Sequence, residues 1–407
     1  MVYYSLLDIG NWEVAMKNAI VGQSGGPTSA INATLRGVVQ GFVKRGGTVF
    51  GMHNGIQGLL DEDIVNLEYL KGEALTLLSK TPAAHLGSCR MRLPDDLSQP
   101  VYNKIFSIFE KYNIGYVYYI GGNDSMDTVD KLSRYAKINS VDVCIIGVPK
   151  TIDNDLVLTD HTPGYGSCAK YVAGTVCELD LDVSVYTKPS VTILEVMGRE
   201  AGWIGMAAAL PKYLLGRGSD LVYLPEGDFS CDKFLSDVEK LLSRQNSLLV
   251  TVSEGVPAYE RVGDMDVFGH AVSLSGCGAY LSKMVKERLK CKSRAVELSL
   301  TQRCAGHLTS RTDIEESIRL GEFASSLVGA EFNGSMVAMV RKAGDVYGVD
   351  FTCVPASEVA NRVKKVPVDF INDEQNFVTQ RCIDYVSPLI VGEIDLEYVM
   401  GMPKYLR

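Results

Sequence analysis

The residues best suited to chemistry are a lysine and two aspartates in one short segment. Lys150 directly precedes Thr151, and Asp153 and Asp155 follow two residues apart. Two carboxylates at this spacing can divide roles, because one can abstract a proton while the other orients a group or binds a metal ion. An Asx-rich turn would also explain the pair. The cation beside the two carboxylates favours a site for a charged, phosphate-bearing ligand.

Two glycine pairs could each seat a phosphate group. Gly25 and Gly26 separate a strand-like run from a helix-like run, and a second pair directly precedes Asn123, Asp124 and Ser125. Glycine lets a ligand approach the backbone closely, and the first turn of a helix offers free N–H donors. Glycine turns without ligands are common, and Asp124 or Ser125 could simply cap the helix. The chain contains neither a Walker A sequence nor GxGxxG, so the usual nucleotide loops are not predicted.

Four arginines stand in settings typical of loops or strand ends, namely Arg90, Arg199, Arg294 and Arg303. The planar fork of arginine binds two phosphate oxygens at once. Taken singly, each is better explained by a surface ion pair. They indicate a phosphate site only in combination with the other segments.

Composition limits the class of protein. The chain has 407 residues, of which 46% are hydrophobic and 22% charged, as is ordinary for packed globular proteins. The net charge of −9 argues against nucleic acid as a general partner, whereas a local cluster of cations still permits a small anionic substrate. No stretch reaches the roughly 18 consecutive apolar residues of a spanning helix, so no membrane association is predicted.

The cysteines and the first residues bear on the compartment. Ten cysteines occur without CxxC pairs or Cys/His metal spacing, which favours reduced, mostly buried thiols over disulfides or zinc. The first residues lack the basic region of a signal peptide and are interrupted by Asp8, Asn11 and Glu13. We therefore expect a soluble cytoplasmic protein.

An alternation of strands and helices predicts the fold class. Strand-like runs begin at Asn18 and Gly115 and span Val143–Val148, and each leads into a polar, Gly-rich or Asp-rich loop. Repeated strand, turn and helix units indicate parallel sheets covered on both faces, which bind ligands at the carboxyl ends of their strands. Two further runs, Ser190–Val196 and Ser247–Val252, predict a second lobe. We predict an α/β protein with two doubly wound lobes, mainly parallel sheets and an active site in the cleft between them.

Taken together, these segments resemble the phosphofructokinase family from about Lys17 to Arg303. Their order and spacing fit the family, and PKTIDND and EVMGR are the most specific of them. The matching segments are GQSGGPTSAIN (22–32), LGSCR (86–90), IGGNDS (120–125), VPKTIDND (148–155), EVMGRE (195–200), SEG (253–255) and SRAVELSLTQR (293–303).

The resemblance implies a reaction and a role for each matched position. Phosphoryl transfer to the 1-hydroxyl of fructose 6-phosphate needs mainly alignment and charge stabilisation. Asp153 is implied as the base that takes the hydroxyl proton, with Lys150 and Arg199 as the other catalytic residues. The implied sugar-phosphate contacts are Thr151, Asp153, Met197, Gly198, Arg199, Glu254, Arg303 and, from a neighbouring subunit, Arg294; the donor contacts are Gly25, Gly26, Arg90, Asp124 and Ser125; the Mg²⁺ ligands are Asn123 and Asp124.

Two positions bear on the phosphoryl donor. ATP-using relatives usually carry glycine in place of Asp124 and of Lys150, so this chain resembles the pyrophosphate-dependent branch. Asp124 would repel the α-phosphate of a nucleotide by roughly 4 kcal/mol for unit charges about 4 Å apart at intermediate screening. Lys150 would stabilise charge on pyrophosphate. An ATP-dependent enzyme and a catalytically weak regulatory subunit remain the alternatives.

Three residues depart from the family pattern. Asn123 replaces the usual magnesium aspartate, Leu300 stands where many relatives have His or Tyr near the 6-phosphate, and Ser190 replaces an arginine of ATP-type enzymes. These departures concern phosphate and metal binding rather than the reaction itself.

The resemblance also implies a domain organisation and a homodimer or homotetramer. Residues 17–165 are expected to form a donor-binding lobe, completed by part of the chain after about residue 300. Residues 166–300 are expected to form a sugar-phosphate lobe. Residues 301–407 would return and form a C-terminal extension, and residues 1–16 an N-terminal one.

Overall fold

The computed structural model describes residues 16–259 and 274–406. Within them the chain forms two α/β lobes, each built on its own sheet. The predicted N-terminal extension, residues 1–16, lies outside the described residues apart from Met16.

The strands of the described residues follow the alternation predicted from the sequence. In chain order they are β1 (Asn18–Gln23), β2 (Val49–Met52), β3 (Ile64–Asn66), β4 (Ile114–Gly121), β5 (Cys144–Pro149), β6 (Ser190–Val196), β7 (Leu221–Tyr223), β8 (Ser247–Ser253), β9 (Lys292–Glu297), β10 (Ser335–Arg341), β11 (Val349–Pro355), β12 (Tyr398–Val399) and β13 (Met402–Pro403).

The helices connect and cover these strands. They are α1 (Ile31–Val43), α2 (Gly55–Leu60), α3 (Glu73–Lys80), α4 (Pro100–Lys111), α5 (Asn123–Ile138), α6 (Tyr165–Val183), α7 (Trp203–Ala207), α8 (Leu210–Leu215), α9 (Cys231–Leu242), α10 (Cys277–Leu289), α11 (Thr301–Cys304), α12 (Arg311–Ser326), α13 (Ala356–Val359) and α14 (Gln380–Val386).

The larger sheet has the strand order β11-β10-β5-β4-β1-β2-β3. Its inner pairs are parallel, while the edge strands β3 and β11 are antiparallel to their neighbours. Apolar side chains of α1 and α12 cover one face, and those of α4 and α5 cover the other. Both faces are therefore buried, as the near-continuous apolar runs of β4 and β5 require.

The smaller sheet is wholly parallel, with the order β7-β8-β6-β9. Helices α9 and α10 pack on one face, and α6, α7 and α14 pack on the other. Two doubly wound sheets with helices on both faces confirm the predicted fold class.

The topology brings the carboxyl ends of three strands together. Strand β1 lies between β4 and β2, so the direction of winding reverses at β1. Open α/β sheets bind ligands at this point, because the loops on either side diverge and leave a crevice. The loops after β1, β4 and β5 carry the glycine turns and the aspartate segment. The loop after β6, in the other lobe, carries Met197 to Arg199 across the cleft.

The chain after residue 300 contributes to both lobes. Helix α12 packs along α1, and β10 joins the larger sheet beside β5. Apolar residues between Val366 and Leu389 then complete the core of the smaller lobe. No described helix is long and apolar enough to cross a membrane. Of the ten cysteines, four are buried and Cys304 is exposed.

Candidate active site

Two adjoining cavities of about 410 and 300 Å³ lie in the cleft. Arg90, Met197, Arg199 and Arg303 line both, so the cavities form one continuous site with two compartments. Most of the predicted residues line the larger compartment: Gly25, Gly26, Arg90, Asn123, Asp124, Ser125, Lys150, Thr151, Asp153, Met197, Gly198, Arg199 and Arg303. Glu254 lines the smaller one, and Arg294 lines neither.

The first glycine turn lies against two cations. Gly25 has a φ of +77°, which glycine adopts without strain. A Cβ at Gly25 would lie 3.1 Å from Lys150 Nζ, and one at Gly26 would lie 3.2 Å from Arg303 Nη1. The missing side chains thus let both cations reach the turn, where a phosphate would meet them and the backbone together.

Lys150 is the buried cation of the site, with only 2% of its surface exposed. Its Nζ donates to the Gly26 carbonyl at 2.8 Å, and its backbone N–H donates to the Gly121 carbonyl at 2.9 Å. One residue therefore joins the loops after β1, β4 and β5. Burial lowers the pKa of Lys150 to about 8, although the negative charges of Asp153 and Asp155 oppose that shift.

The aspartate segment forms a tight turn whose carboxyl groups face the larger cavity. The Thr151 hydroxyl accepts a hydrogen bond from the Asp153 N–H at 3.1 Å, and Asn154 adopts a φ of +53°. Burial raises the pKa of Asp153, while Arg199 and Lys150 oppose the rise. Burial and then the charge of Asp153 raise the pKa of Asp155 to about 7. Asp153 is therefore a stronger base than an exposed aspartate.

The loop after β6 turns sharply to present Arg199. Gly198 and Arg199 have φ values of +131° and +51°, and the Arg199 N–H donates to Glu254 Oε1 at 2.8 Å. Burial raises the pKa of Glu254 to about 7, although this hydrogen bond opposes the rise. Glu254 thus stabilises a left-handed residue as well as lining the smaller cavity. The sequence did not indicate this structural task.

Arg294 is separated from the other predicted residues within this chain. It lies on β9, where its guanidinium stacks on the Tyr186 ring at 5.6 Å. The expectation that it acts in the site of a neighbouring subunit stays a prediction.

Oxygen ligands for Mg²⁺ are available in the larger cavity, because Asp124, Asp153 and Asp155 all line it. In the described residues, no group of three or more His, Cys, Asp or Glu is close enough to hold a metal ion alone. Mg²⁺ usually binds through one or two carboxylates together with substrate phosphates, so this set fits an ion that arrives with its donor. Asn123 fits less well, since its carboxamide donates to the Arg362 carbonyl at 2.6 Å and accepts from the Asn361 N–H.

Sequence reasoning missed several residues of the site. Gln302 is buried and accepts from the Met197 N–H at 3.2 Å, and Glu195 accepts from the Gly276 and Gly278 N–H groups at the start of α10. Val363 lines the larger cavity from the C-terminal part of the chain. Glu195 and Gln302 stand inside segments that resemble the family, but no local pattern indicates their contacts, because each partner is more than 80 residues away. Val363 lies outside those segments.

The family follows from comparison with known proteins. The phosphofructokinase family model matches residues 18–328. The chain therefore belongs to the phosphofructokinase family.

Particular relatives are similar over nearly the whole chain. A Halomonas elongata protein named pyrophosphate–fructose 6-phosphate 1-phosphotransferase is 37% identical, with 97% of this chain and 96% of that protein covered. The protein of the same name from Methylococcus capsulatus is 36% identical over the same shares. The crystal structure of a pyrophosphate-dependent phosphofructokinase from Marinobacter aquaeolei superposes with a TM-score of 0.87 at 36% identity, covering 96% of each chain.

Proposed function

We propose that this protein transfers a phosphoryl group from pyrophosphate to the 1-hydroxyl of fructose 6-phosphate, yielding fructose 1,6-bisphosphate and inorganic phosphate. The observation that carries the proposal is the buried Lys150 beside the Gly25–Gly26 turn, in a chain whose near-full-length relatives bear that activity in their names. The reaction is a reversible step of sugar-phosphate metabolism.

The two compartments suggest where each substrate binds. We assign the donor to the larger cavity, formed mainly by loops of the 17–165 lobe, and the sugar phosphate to the smaller one, formed mainly by residues of the 166–300 lobe. Arg199 and Arg303 line both cavities, where the transferred group would pass from one substrate to the other. Their fixed positive charge would stabilise the negative charge that spreads over its oxygens.

The proposed reaction requires one proton transfer. Asp153 takes the proton of the 1-hydroxyl, and the hydroxyl oxygen attacks the nearer phosphorus of pyrophosphate. The bond to the bridging oxygen breaks, and the second phosphate is released at the Gly25–Gly26 turn. Lys150 stabilises the departing phosphate from beside Gly25 and Gly26. The raised pKa of Asp153 supports this role.

Mg²⁺ would be held by Asp124 together with pyrophosphate oxygens. When bound, it offsets charge on the donor. We favour Asp124 over Asn123 as the protein ligand, because the oxygen of Asn123 already accepts a backbone hydrogen bond.

One assay tests the proposed donor. Product formation by the purified chain is followed in an aldolase-coupled assay with pyrophosphate or ATP at equal concentration. We expect turnover with pyrophosphate and little with ATP. A preference for ATP would reassign the donor, and no turnover with either would favour the regulatory-subunit alternative.

A further inference from the structure

A segment outside the span of the family model crosses the back of the site. Residues 361–366, here called the strap, follow α13, whereas the family model ends at residue 328. The strap contacts the start of α5, the aspartate loop and the start of α7. The proposed reaction requires these loops to keep fixed positions relative to one another.

The first end of the strap is held by Asn123. The Asn123 carboxamide donates to the Arg362 carbonyl at 2.6 Å and accepts from the Asn361 N–H. Both the NH₂ group and the oxygen of this carboxamide thus form hydrogen bonds with the strap backbone. The next residue, Val363, lines the larger cavity.

The centre of the strap is Lys364, which contacts both lobes. Its Nζ donates to the Asp160 carbonyl at 2.8 Å and to Asn154 Oδ1 at 3.3 Å. Its backbone N–H donates to the Asp155 carbonyl at 2.7 Å. In the other lobe, the ammonium lies 4.7 Å from the Trp203 ring centroid, and Trp203 Nε1 donates to the Lys364 carbonyl at 2.7 Å.

The last end of the strap is held by Glu226. One carboxylate oxygen of Glu226 accepts from the Val366 N–H at 2.9 Å and from the Gly202 N–H at 3.0 Å. One end of the strap is therefore fixed to helix α5, and the other end is fixed to the loop that carries Arg199.

We propose that Lys364 is a positioning residue that holds the aspartate loop against the Arg199 loop across the cleft, with Asn123 anchoring the strap on the donor side. The inference rests on the proposed function, since it assigns the aspartate and arginine loops to phosphoryl transfer. Lys364 is directed at the backbone behind Asp153 rather than at the substrates, as neither cavity is lined by it.

The energetics fit a positioning task. Burial lowers the pKa of Lys364 to about 8, so the ammonium is held at a cost and needs its acceptors. Asn154, which receives one of its bonds, has a left-handed backbone and donates to the Tyr385 hydroxyl at 2.9 Å. Misplacement of a reacting group by about 1 Å can reduce turnover about a hundredfold. Loss of Lys364 should therefore lower kcat more than substrate affinity.

Lys364→Met tests this inference, with Arg362→Met as the matched control. Arg362 is an exposed cation of the same segment whose side chain lines neither cavity, so its loss removes the same charge without the contacts. We expect Lys364→Met to lower kcat at least about tenfold with both KM values changed less than about threefold. Amide hydrogen exchange of residues 151–160 should become faster in Lys364→Met and stay unchanged in Arg362→Met.

Asn123→Asp separates anchoring from metal binding. As a Mg²⁺ ligand, aspartate should lower the Mg²⁺ concentration needed for half-maximal activity. If Asn123 instead anchors the strap, the aspartate lacks the N–H donor to the Arg362 carbonyl. Hydrogen exchange of the Asn361–Lys364 amides should then become faster while the Mg²⁺ requirement stays unchanged.

Three results would overturn the inference. These are wild-type kcat with wild-type exchange in Lys364→Met, equal losses in Arg362→Met, or a lower Mg²⁺ requirement in Asn123→Asp. If Lys364→Met does not fold, amide hydrogen exchange and kcat are measured in Asn123→Ala, and these two values test the inference instead. A wild-type chain without activity would refute the proposed function. The hydrogen-exchange measurements would still test whether the strap holds the two loops in place.

Discussion

At the residue scale, the site is a balance of buried opposite charges. Asp153, Asp155 and Glu254 all have their pKa raised by burial, while Lys150 has its pKa lowered for the same reason. Each group alone would be costly in this setting, and their mutual attraction offsets part of that cost. A site poised in this way can exchange a proton and accept a highly charged donor near neutral pH.

The first prediction at this scale concerns the proposed base. Asp153→Asn keeps the size of the side chain and the hydrogen bond from its own N–H to Thr151, but removes the proton acceptor. We expect kcat to fall at least about a hundredfold, in line with general-base contributions, while fructose 6-phosphate still binds. Turnover and sugar-phosphate binding by calorimetry provide the two measurements. A variant within a few-fold of wild type would remove Asp153 from the mechanism.

The second prediction concerns pH. The ammonium of Lys150 is present below its pKa of about 8 and is lost as pH rises through that value. The ratio kcat/KM for pyrophosphate should therefore decline on the alkaline side with an apparent pKa near 8 in the free enzyme. The guanidinium of Lys150→Arg stays charged to far higher pH. The alkaline decline of kcat/KM should therefore shift to higher pH in this variant, even if its rate is lower. Lys188→Arg, at an exposed lysine, is the control. If the alkaline decline of kcat/KM occurs at the same pH in Lys150→Arg as in the wild type, another group causes that decline.

The third prediction concerns donor choice. Asp124 lines the larger cavity at the start of α5, and we assign the donor to that cavity. There the charge of Asp124 would oppose the α-phosphate of a nucleotide. Asp124→Gly should raise the ratio of ATP to pyrophosphate use, measured as kcat/KM, at least about tenfold for a removed repulsion of over 1.4 kcal/mol. Good ATP turnover is not required, because no adenine pocket is assigned. An unchanged ratio would place donor discrimination elsewhere.

At the element scale, close helix packing joins the late part of the chain to the first lobe. Helices α1 and α12 approach through small residues, and a Cβ at Gly37 would lie 2.1 Å from the Ile318 carbonyl oxygen. Glycine is normally a poor helix residue, so its presence here reflects the close approach of two backbones. This contact places α12 on the face of the sheet whose strand β1 leads into the Gly25–Gly26 turn.

Gly37→Ala tests that packing. The added methyl group must push α12 away, and we expect a loss of about 1–3 kcal/mol in the free energy of unfolding by urea. Gly174→Ala on α6 is the control, since its Cβ would lie 3.8 Å from the nearest atom, Leu308 Cδ1, in ordinary contact. There the better helix propensity of alanine should leave stability equal or higher by up to about 1 kcal/mol. Equal effects at the two sites would contradict the close contact.

At the scale of the whole molecule, the site is assembled from both lobes and from segments throughout the chain. The larger compartment draws on loops after β1, β4, β5 and β6, and on α11. The contact of Lys364 with both lobes implies that their separation is set by the chain rather than by substrates alone. Arg294, which points to neither compartment of its own chain, marks the surface where we expect a second subunit.

Subunit mixing tests a shared site. Asp153→Asn subunits lack the proposed base, and Arg294→Ala subunits lack the arginine that we expect a neighbour to provide. Mixed oligomers should recover activity, because some sites then combine an intact base with an intact neighbouring arginine. Native mass spectrometry verifies that subunits exchange. Exchange without recovery would show that Arg294 does not complete a neighbour's site.

The sequence by itself determined the fold class and predicted most of the residues that line the two cavities. The strand predicted at Ser190–Val196 has those bounds in the structure, and the glycine turns and aspartate segment do follow parallel strands. These features are local or periodic. Glycine indicates a backbone conformation, the alternation of strands and helices indicates a parallel sheet, and the order of the motifs indicates the family. Asp153, Lys150 and Arg199 could be predicted as catalytic residues for the same reason, since each stands inside a contiguous motif.

Only the tertiary structure decided how those motifs are held. Asn123, predicted as a metal ligand beside Asp124, forms hydrogen bonds with backbone more than 200 residues later. Lys364 gave no local signal in the sequence, and only the fold places it between the two lobes. Arg303 likewise lies beside the Gly25–Gly26 turn, although it follows that turn by more than 270 residues in the chain. The physical reason is that hydrogen bonding and burial depend on distance in space, whereas a sequence pattern records only neighbours along the chain.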